Sequence, residues 1–256
     1  MAVASIAAAH VVTVVSYAPS GRRKKAVGSA FVIRFGKHAY VVTAEHVLTQ
    51  SPRPLVGIMK RASVRWPEAY KVVRPRDSSD VPDCDIAYYG GEVLASDLSG
   101  FLPTDIYPNY KFDSDHPLIA VGHPVSRAKF GADPTRLTAP NAMIVGPSVP
   151  PERLLKLGYD PRTHLGIEYD PQERVDSSGR RVVGPEPWGM SGGVLLAPIE
   201  EEVGTESRLG VMIVGVLIHY CKPPDSVLVA SRIDCFLDAV FPSRPDGETL
   251  YAEHAV

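Results

Sequence analysis

The sequence predicts an all-β protein, and three observations carry that prediction. Short runs of β-branched and aromatic residues recur along the chain, among them Val11-Val12-Thr13-Val14-Val15 and Tyr40-Val41-Val42-Thr43, the composition that fits a pleated, buried surface. Glycine (21 residues) and proline (24 residues) are plentiful between them, which suits many short strands joined by turns. No helical repeat or low-complexity tract interrupts the pattern. With 256 residues, 45% of them hydrophobic, the chain can bury a large core, either as one two-barrel unit or as two small domains.

Residues 11–17 read as the first strand, succeeded by a polar turn over 18–25 whose basic run Arg22-Arg23-Lys24-Lys25 is expected as a solvated hairpin loop. Residues 28–33 and 38–43 form a hairpin turned at Phe35-Gly36-Lys37. Residues 61–66, 69–73 and 86–89 supply further strands. Residues 91–115, rich in glycine, proline and polar residues, cross to a second half. There the strand pattern resumes at Pro117-Leu118-Ile119-Ala120-Val121 and closes on the turn Gly122-His123-Pro124. Residues 137–145 and 165–169 are the next strands, separated by a proline-rich connection over 146–162. The polar stretch 170–184 is a loop placed to shape access to the glycine-rich segment after it.

Residues 194–196 and 208–220 read as a buried hairpin. Ile233, Phe236, Leu237, Val240 and Phe241 fall on one helical face, with Ser231 as the expected N-cap. Pro242 ends that helix, and the polar tail to Val256 is expected to be mobile.

Charge excludes some partners. There are 27 basic and 29 acidic side chains, a formal net charge of −2, so no overall field draws the chain to nucleic acid or an anionic membrane. No run reaches the ~18 consecutive apolar residues of a membrane span. The small, apolar N-terminus lacks a leading basic residue and is β-branched, so residues 1–15 read as the approach to the first strand rather than a secretion signal. The three cysteines, Cys84, Cys221 and Cys235, show no CxxC or metal spacing. They predict neither a disulfide framework nor a metal site, and they point to a reducing, cytoplasmic setting.

Chemistry concentrates in three places. Gly189-Met190-Ser191-Gly192-Gly193 lets the backbone turn sharply so that a hydroxyl projects while amides gather behind it. Serine needs a base, and His46 closes the apolar run ending Thr43-Ala44-Glu45-His46. The base needs a carboxylate to orient it, and Pro82-Asp83-Cys84-Asp85-Ile86 offers Asp85 first and Asp83 in reserve. Singly, each motif is commonplace: a turn, a strand end, a solvated cap. His123 reads as part of a turn rather than as the base.

In the order His, Asp, Ser, with separations of 39 and 106 residues, these segments resemble the chymotrypsin-fold (trypsin-like) serine peptidases, and more closely the bacterial Deg/HtrA type than digestive trypsins. The resemblance spans about residues 8–240. It implies two six-stranded antiparallel Greek-key barrels with the active site between them and a C-terminal helix. The expected division is a first barrel over 8–95 carrying His46 and Asp85, a connection over 96–115, a second barrel over 116–230 carrying Ser191, the helix over 231–241 and a tail over 242–256.

It further implies a serine endopeptidase acting through an acyl-enzyme on a polypeptide substrate, with no cofactor. The oxyanion hole falls to the amides of Gly189 and Ser191. A strand over 215–220 pairs with the substrate, and Pro185, Ile218, His219 and Tyr220 shape its binding. Pro185 stands where trypsin has its aspartate, with Glu186 beside it, so a strong Lys/Arg preference is not expected. Tyr220 is expected to narrow the pocket in favour of small or medium aliphatic side chains. Digestive enzymes carry an aspartate before the serine that pairs with a freshly cut N-terminus; Met190 cannot, so activation by N-terminal cleavage is not expected. Two other readings stand beside this one. The first is a catalytically silent barrel pair that binds peptides or proteins. The second is a peptidase held latent until a protein partner arrives.

Overall fold

The computed structural model describes residues 11–17, 24–35, 38–50, 55–59, 62–65, 69–75, 83–91, 116–130, 137–138, 140–172, 174–175, 181–203, 206–241 and 251–255. In the first half, strands β1 (Val11–Tyr17), β2 (Lys24–Phe35) and β3 (His38–Ala44) run into a short helix, α1 (Glu45–Thr49). Strands β4 (Leu55–Met59), β5 (Ala62–Arg65), β6 (Lys71–Pro75) and β7 (Ile86–Gly91) come next. The second half holds β8 (Leu118–Gly122), β9 (Lys129–Phe130), β10 (Leu137–Thr138), β11 (Ala142–Gly146), helix α2 (Pro151–Lys156) and β12 (His164–Glu168). It continues with β13 (Arg174–Val175), β14 (Arg181–Val182), β15 (Val194–Val203), β16 (Glu206–Cys221), β17 (Val227–Arg232), helix α3 (Ile233–Val240) and β18 (Tyr251–Ala255).

Two antiparallel sheets carry the architecture, ordered β18-β6-β7-β3-β2-β1-β4-β5 and β11-β8-β15-β16-β17-β12. With the terminal helix they make a two-barrel, chymotrypsin-like fold. Among the described residues the first sheet has eight strands rather than six. One addition is β4, whose Leu55-Val56-Gly57-Ile58-Met59 is interrupted by glycine and preceded by Pro52 and Pro54, so the strand signal is weak. The other is β18, which pairs antiparallel with β6 from Tyr251↔Pro75 to Ala255↔Lys71. Residues 251–255 are therefore an edge strand, where a loose tail over 242–256 was expected; the rest of that stretch lies outside the described residues. The crossing expected over 96–115 and the stretch 18–23 lie outside the described residues. Lys24 and Lys25, expected in a loop, begin β2.

Alternate residues along the strands enter different clusters, as the two-residue period of a strand requires. Phe31, Ile33, Val42, Ile86 and Tyr88 pack into one cluster with Val121, Leu196 and Ile213 of the second sheet. Ala30, Val32, Val41 and Ala87 pack into another. Both faces are buried, which is why these strands read as continuous apolar runs rather than as alternation.

Helix α3 joins the halves. Ile233, Phe236 and Leu237 are buried one turn apart, and the Phe236 ring meets Tyr40 and Tyr88 edge-on at centroid distances of 5.6 and 5.1 Å. Truncating such a ring costs roughly 3–5 kcal/mol. The helix lacks the cap expected of Ser231. Arg232 occupies that position with no side-chain cap, while Ser231 lies within β17 and donates its hydroxyl to the Cys84 carbonyl. The 146–162 connection also holds more than a loop, since Pro150 precedes Pro151 at the first turn of α2, a position where proline is pre-set for a helix. The three cysteines are free thiols. Among the described residues no helix is long and apolar enough to cross a membrane.

Candidate active site

His46 owes its place to the pairing of β3 with β7. The ladder ends at Ala44↔Ile86, and the chain turns into α1 on one side as Asp85 arrives on the other. The Glu45 N–H then donates to the Asp85 carbonyl at 3.1 Å, and the His46 N–H to Asp85 Oδ1 at 3.0 Å. The second carboxylate oxygen, Oδ2, lies 2.6 Å from His46 Nδ1. One carboxylate thus holds both the backbone and the ring of His46, which fixes the ring's orientation and places the proton on Nδ1.

Asp85 adopts φ +47°, a left-handed conformation that aspartate tolerates better than most residues. The strain sits where the carboxylate must turn back toward α1. The segment is pinned from outside as well: Ser231 of the second sheet holds the Cys84 carbonyl. Arg74 on β6 pairs with Glu45 at 2.5 Å, and this contact, with the nearby Asp83 and Cys84, raises the guanidinium pKa against the effect of burial. Asp83, the reserve carboxylate, is 69% exposed and lies 3.9 Å from Arg74. It orients nothing at His46.

The serine loop is two consecutive turns. Met190 N–H donates to the Pro187 carbonyl at 3.0 Å, and Gly193 N–H to the Met190 carbonyl at 2.8 Å. The third residue of each turn is a glycine at positive φ, Gly189 at +87° and Gly192 at +81°, as such turns demand. A Cβ on Gly192 would run into the Ser29 carbonyl and the Thr43 hydroxyl. Gly192→Ala is expected to lose about 1–2 kcal/mol from the backbone conformation alone, read as a lower denaturant midpoint.

His46, Asp85 and Ser191 line one cleft of about 1120 Å³. In this conformation the Ser191 hydroxyl donates to the Ile218 carbonyl at 3.2 Å. Ile218, His219 and Tyr220 line the same cleft. They lie on β16 beyond Val194↔Val216, the last pair that β15 makes with it. On its other edge the strand still pairs with β17 through His219↔Val229 and Tyr220↔Leu228. A strand paired on one side only can accept an extended chain on the other.

Pro185 does not line the cleft; its carbonyl accepts the buried Tyr169 hydroxyl at 2.6 Å. Tyr220 leans on Tyr169, ring centroids 6.2 Å apart. His123 is buried with Nε2 3.2 Å from the Val11 carbonyl and lines no part of the cleft.

Sequence reasoning missed one wall. Tyr159 and Asp160, from the connection after α2, and His164, the first residue of β12, line the cleft, with Tyr159 between His164 and His219 at centroid distances of 5.2 and 6.4 Å. Burial pushes the Tyr159 hydroxyl up to about 12. Trp188, 55% exposed, stands at the rim with the Lys222 ammonium 4.7 Å from its ring centre. The bulk of Trp188 beside the glycine motif is the one local signal that could have pointed to this rim; residues 159–164, distant in sequence from that motif, carried none. Among the described residues no group of three or more His, Cys, Asp or Glu could hold a metal ion.

Burial lowers the His164 pKa from its ordinary 6.5, with Asp160 and Asp85 opposing in part, and lowers that of His219 with His46 adding to the effect. Below about pH 6.5 an unfolded chain takes up the proton that folded His164 resists, so folding stability is present above that pH and falls as pH drops through it. His164→Gln is expected to narrow the drop in Tm between about pH 7.5 and about pH 5. Equal drops in both proteins would remove His164 from the account.

No family model matches the sequence, and no curated protein matches it. Solved structures do. The structure of GrC superposes with a TM-score of 0.54 at 13% identity, covering 93% of this chain and 95% of that one. AL20, a thermostable serine protease from an extremophilic microorganism, gives a TM-score of 0.48 at 15% identity, covering 89% and 92%. The likeness to GrC over nearly all of both chains is a likeness of fold alone.

Proposed function

We propose that the protein is a serine endopeptidase with His46, Asp85 and Ser191 as its catalytic residues. The observation that carries the reading is the doubly bonded Asp85–His46 pair, 2.6 Å at the ring, in one cleft with a serine on a glycine-built turn. Ser191 Oγ attacks the scissile carbonyl as His46 Nε2 takes its proton; His46 then returns that proton to the leaving amine. Asp85 stabilises the imidazolium formed between those steps. The Gly189 and Ser191 amides receive the oxyanion, and the free edge of β16 at Ile218, His219 and Tyr220 aligns the polypeptide substrate. The tyrosine on that edge favours small or medium aliphatic side chains at the cleaved bond. We place the chain nearer the Deg/HtrA type, on the absence of an aspartate before the serine, and in the cytoplasm, on its free thiols.

One observation favours the second reading, a peptide-binding barrel pair: the Ser191 hydroxyl is turned to Ile218 rather than His46. Fluorophosphonate labelling followed by intact mass separates the two. The wild type is expected to gain one adduct and Ser191→Ala none. A folded wild type that stays unlabelled would leave the silent or partner-dependent readings.

A further inference from the structure

The peptide planes of the serine loop are held one by one. The Trp188 carbonyl accepts from Val125 N–H at 2.6 Å, the Met190 carbonyl from Gly193 N–H at 2.8 Å and the Ser191 carbonyl from Ser29 N–H at 2.7 Å. The Gly189 carbonyl accepts the Ser29 hydroxyl at 2.9 Å. In a trans peptide the C=O and N–H point opposite ways. Fixing the Trp188 and Met190 carbonyls therefore turns the N–H groups of Gly189 and Ser191 to the other side. Among the described residues neither N–H has an acceptor, and both residues line the cleft.

Ser29 supplies two of these four bonds from the opposite sheet. It is fully buried, and every polar group it has is committed. Its carbonyl accepts the Thr43 hydroxyl at 2.7 Å, and its Oγ accepts the His123 N–H at 2.9 Å. A hydroxyl has one proton; with His123 N–H approaching Oγ, that proton is directed at the Gly189 carbonyl. Met190, at the centre of the loop, is 1% exposed in an apolar cluster, so no charge pair helps to hold the shape.

We propose that Ser29, with the Val125 amide, is the device that sets the oxyanion-binding amides, so that the chain is competent without N-terminal cleavage. Ser29 is a positioning residue: it holds the Gly189–Met190 and Ser191–Gly192 peptides, the neighbours of the two that carry the oxyanion-binding amides, and never touches substrate. The proposal rests on the peptidase reading.

The test uses the full chain with its original N-terminus verified by intact mass. The wild type, Ser29→Ala, Ser29→Cys and Val125→Pro are compared by fluorophosphonate inactivation rate. They are also compared by the pKa of the hemiketal hydroxyl formed with a small trifluoromethyl ketone, tracked by ¹⁹F NMR. Val125→Pro removes that N–H and sets a ring carbon where it pointed, so the Trp188 carbonyl must shift; the backbone of residue 125 itself accepts proline, because Val125 opens a 3-10 turn and Pro124 before it is extended at ψ 126°. It keeps the test open should Ser29→Ala not fold.

Uncut wild type is expected to label. Ser29→Ala and Val125→Pro should label at least about tenfold more slowly, with the hemiketal pKa raised by about one; Ser29→Cys should recover part of both. Folded variants with wild-type rates and hemiketal pKa would overturn the proposal, as would labelling only of a cut chain. A wild type unlabelled in either form defeats instead the reading on which the proposal rests, a peptidase active without a partner.

Discussion

Replacing His46 or Ser191 by alanine is expected to lower kcat by about 10⁶-fold, and replacing both to lower it no further. The two residues act in one proton transfer, so removing either leaves the other without a task. The serine without a base is an ordinary alcohol, and the base without the serine faces an empty position. Neither change should disturb the fold. Both side chains are only partly buried, and the serine loop is held by backbone bonds from Gly192 N–H to the Leu217 carbonyl at 2.7 Å and from Leu217 N–H to the Gly193 carbonyl at 2.8 Å. Activity of the single and double variants on a casein digest, with Tm as the control for folding, checks this. Losses that multiply in the double variant would mean that His46 and Ser191 work independently, and the shared proton transfer would have to be given up.

Much of the fold was legible because its strands are buried on both faces. The runs at β2, β3, β7 and β8 are dense in β-branched and aromatic residues, and the apolar spacing of α3 is plain in the chain. What could not be read was pairing across distance. Nothing local marks residues 251–255 as a partner for β6, since an edge strand needs only one ladder and need not be apolar. Helix α2 hid behind its prolines: two adjacent prolines suggest a loop until the second is recognised as a helix start.

At the site the difference is of the same kind. Ser191 and His46 announce themselves through neighbours that serve their geometry, glycines at the turn and an apolar strand before the helix. The choice between Asp85 and Asp83 is not local. It depends on the register Ala44↔Ile86, which brings the first carboxylate under α1 and leaves the second in solvent beside Arg74. Ser29 carried no signal at all, because a serine in a strand becomes a clamp only when another sheet packs its loop against it.

Asp85→Asn is expected to cut kcat by about 10⁴-fold while leaving the protein folded. Asparagine is the substitution that isolates the charge, since it shares aspartate's tolerance of the left-handed φ of +47°. Its amide oxygen can still accept the His46 backbone N–H, so α1 keeps its start. What changes is the atom facing His46 Nδ1 at 2.6 Å: an NH₂ there requires Nδ1 to be the acceptor, which moves the ring proton to Nε2, the nitrogen that must be free to receive the proton of Ser191. The imidazolium of the reaction also loses the anion beside it. Asp85→Ala should be equally inactive and less stable by about 1 kcal/mol or more, because alanine pays the full steric cost of that φ. Asp83→Asn, at an exposed carboxylate 3.9 Å from Arg74, should keep near wild-type kcat. The reverse result, with Asp83→Asn inactive and Asp85→Asn unaffected, would mean that the β3–β7 register does not decide which carboxylate orients the base.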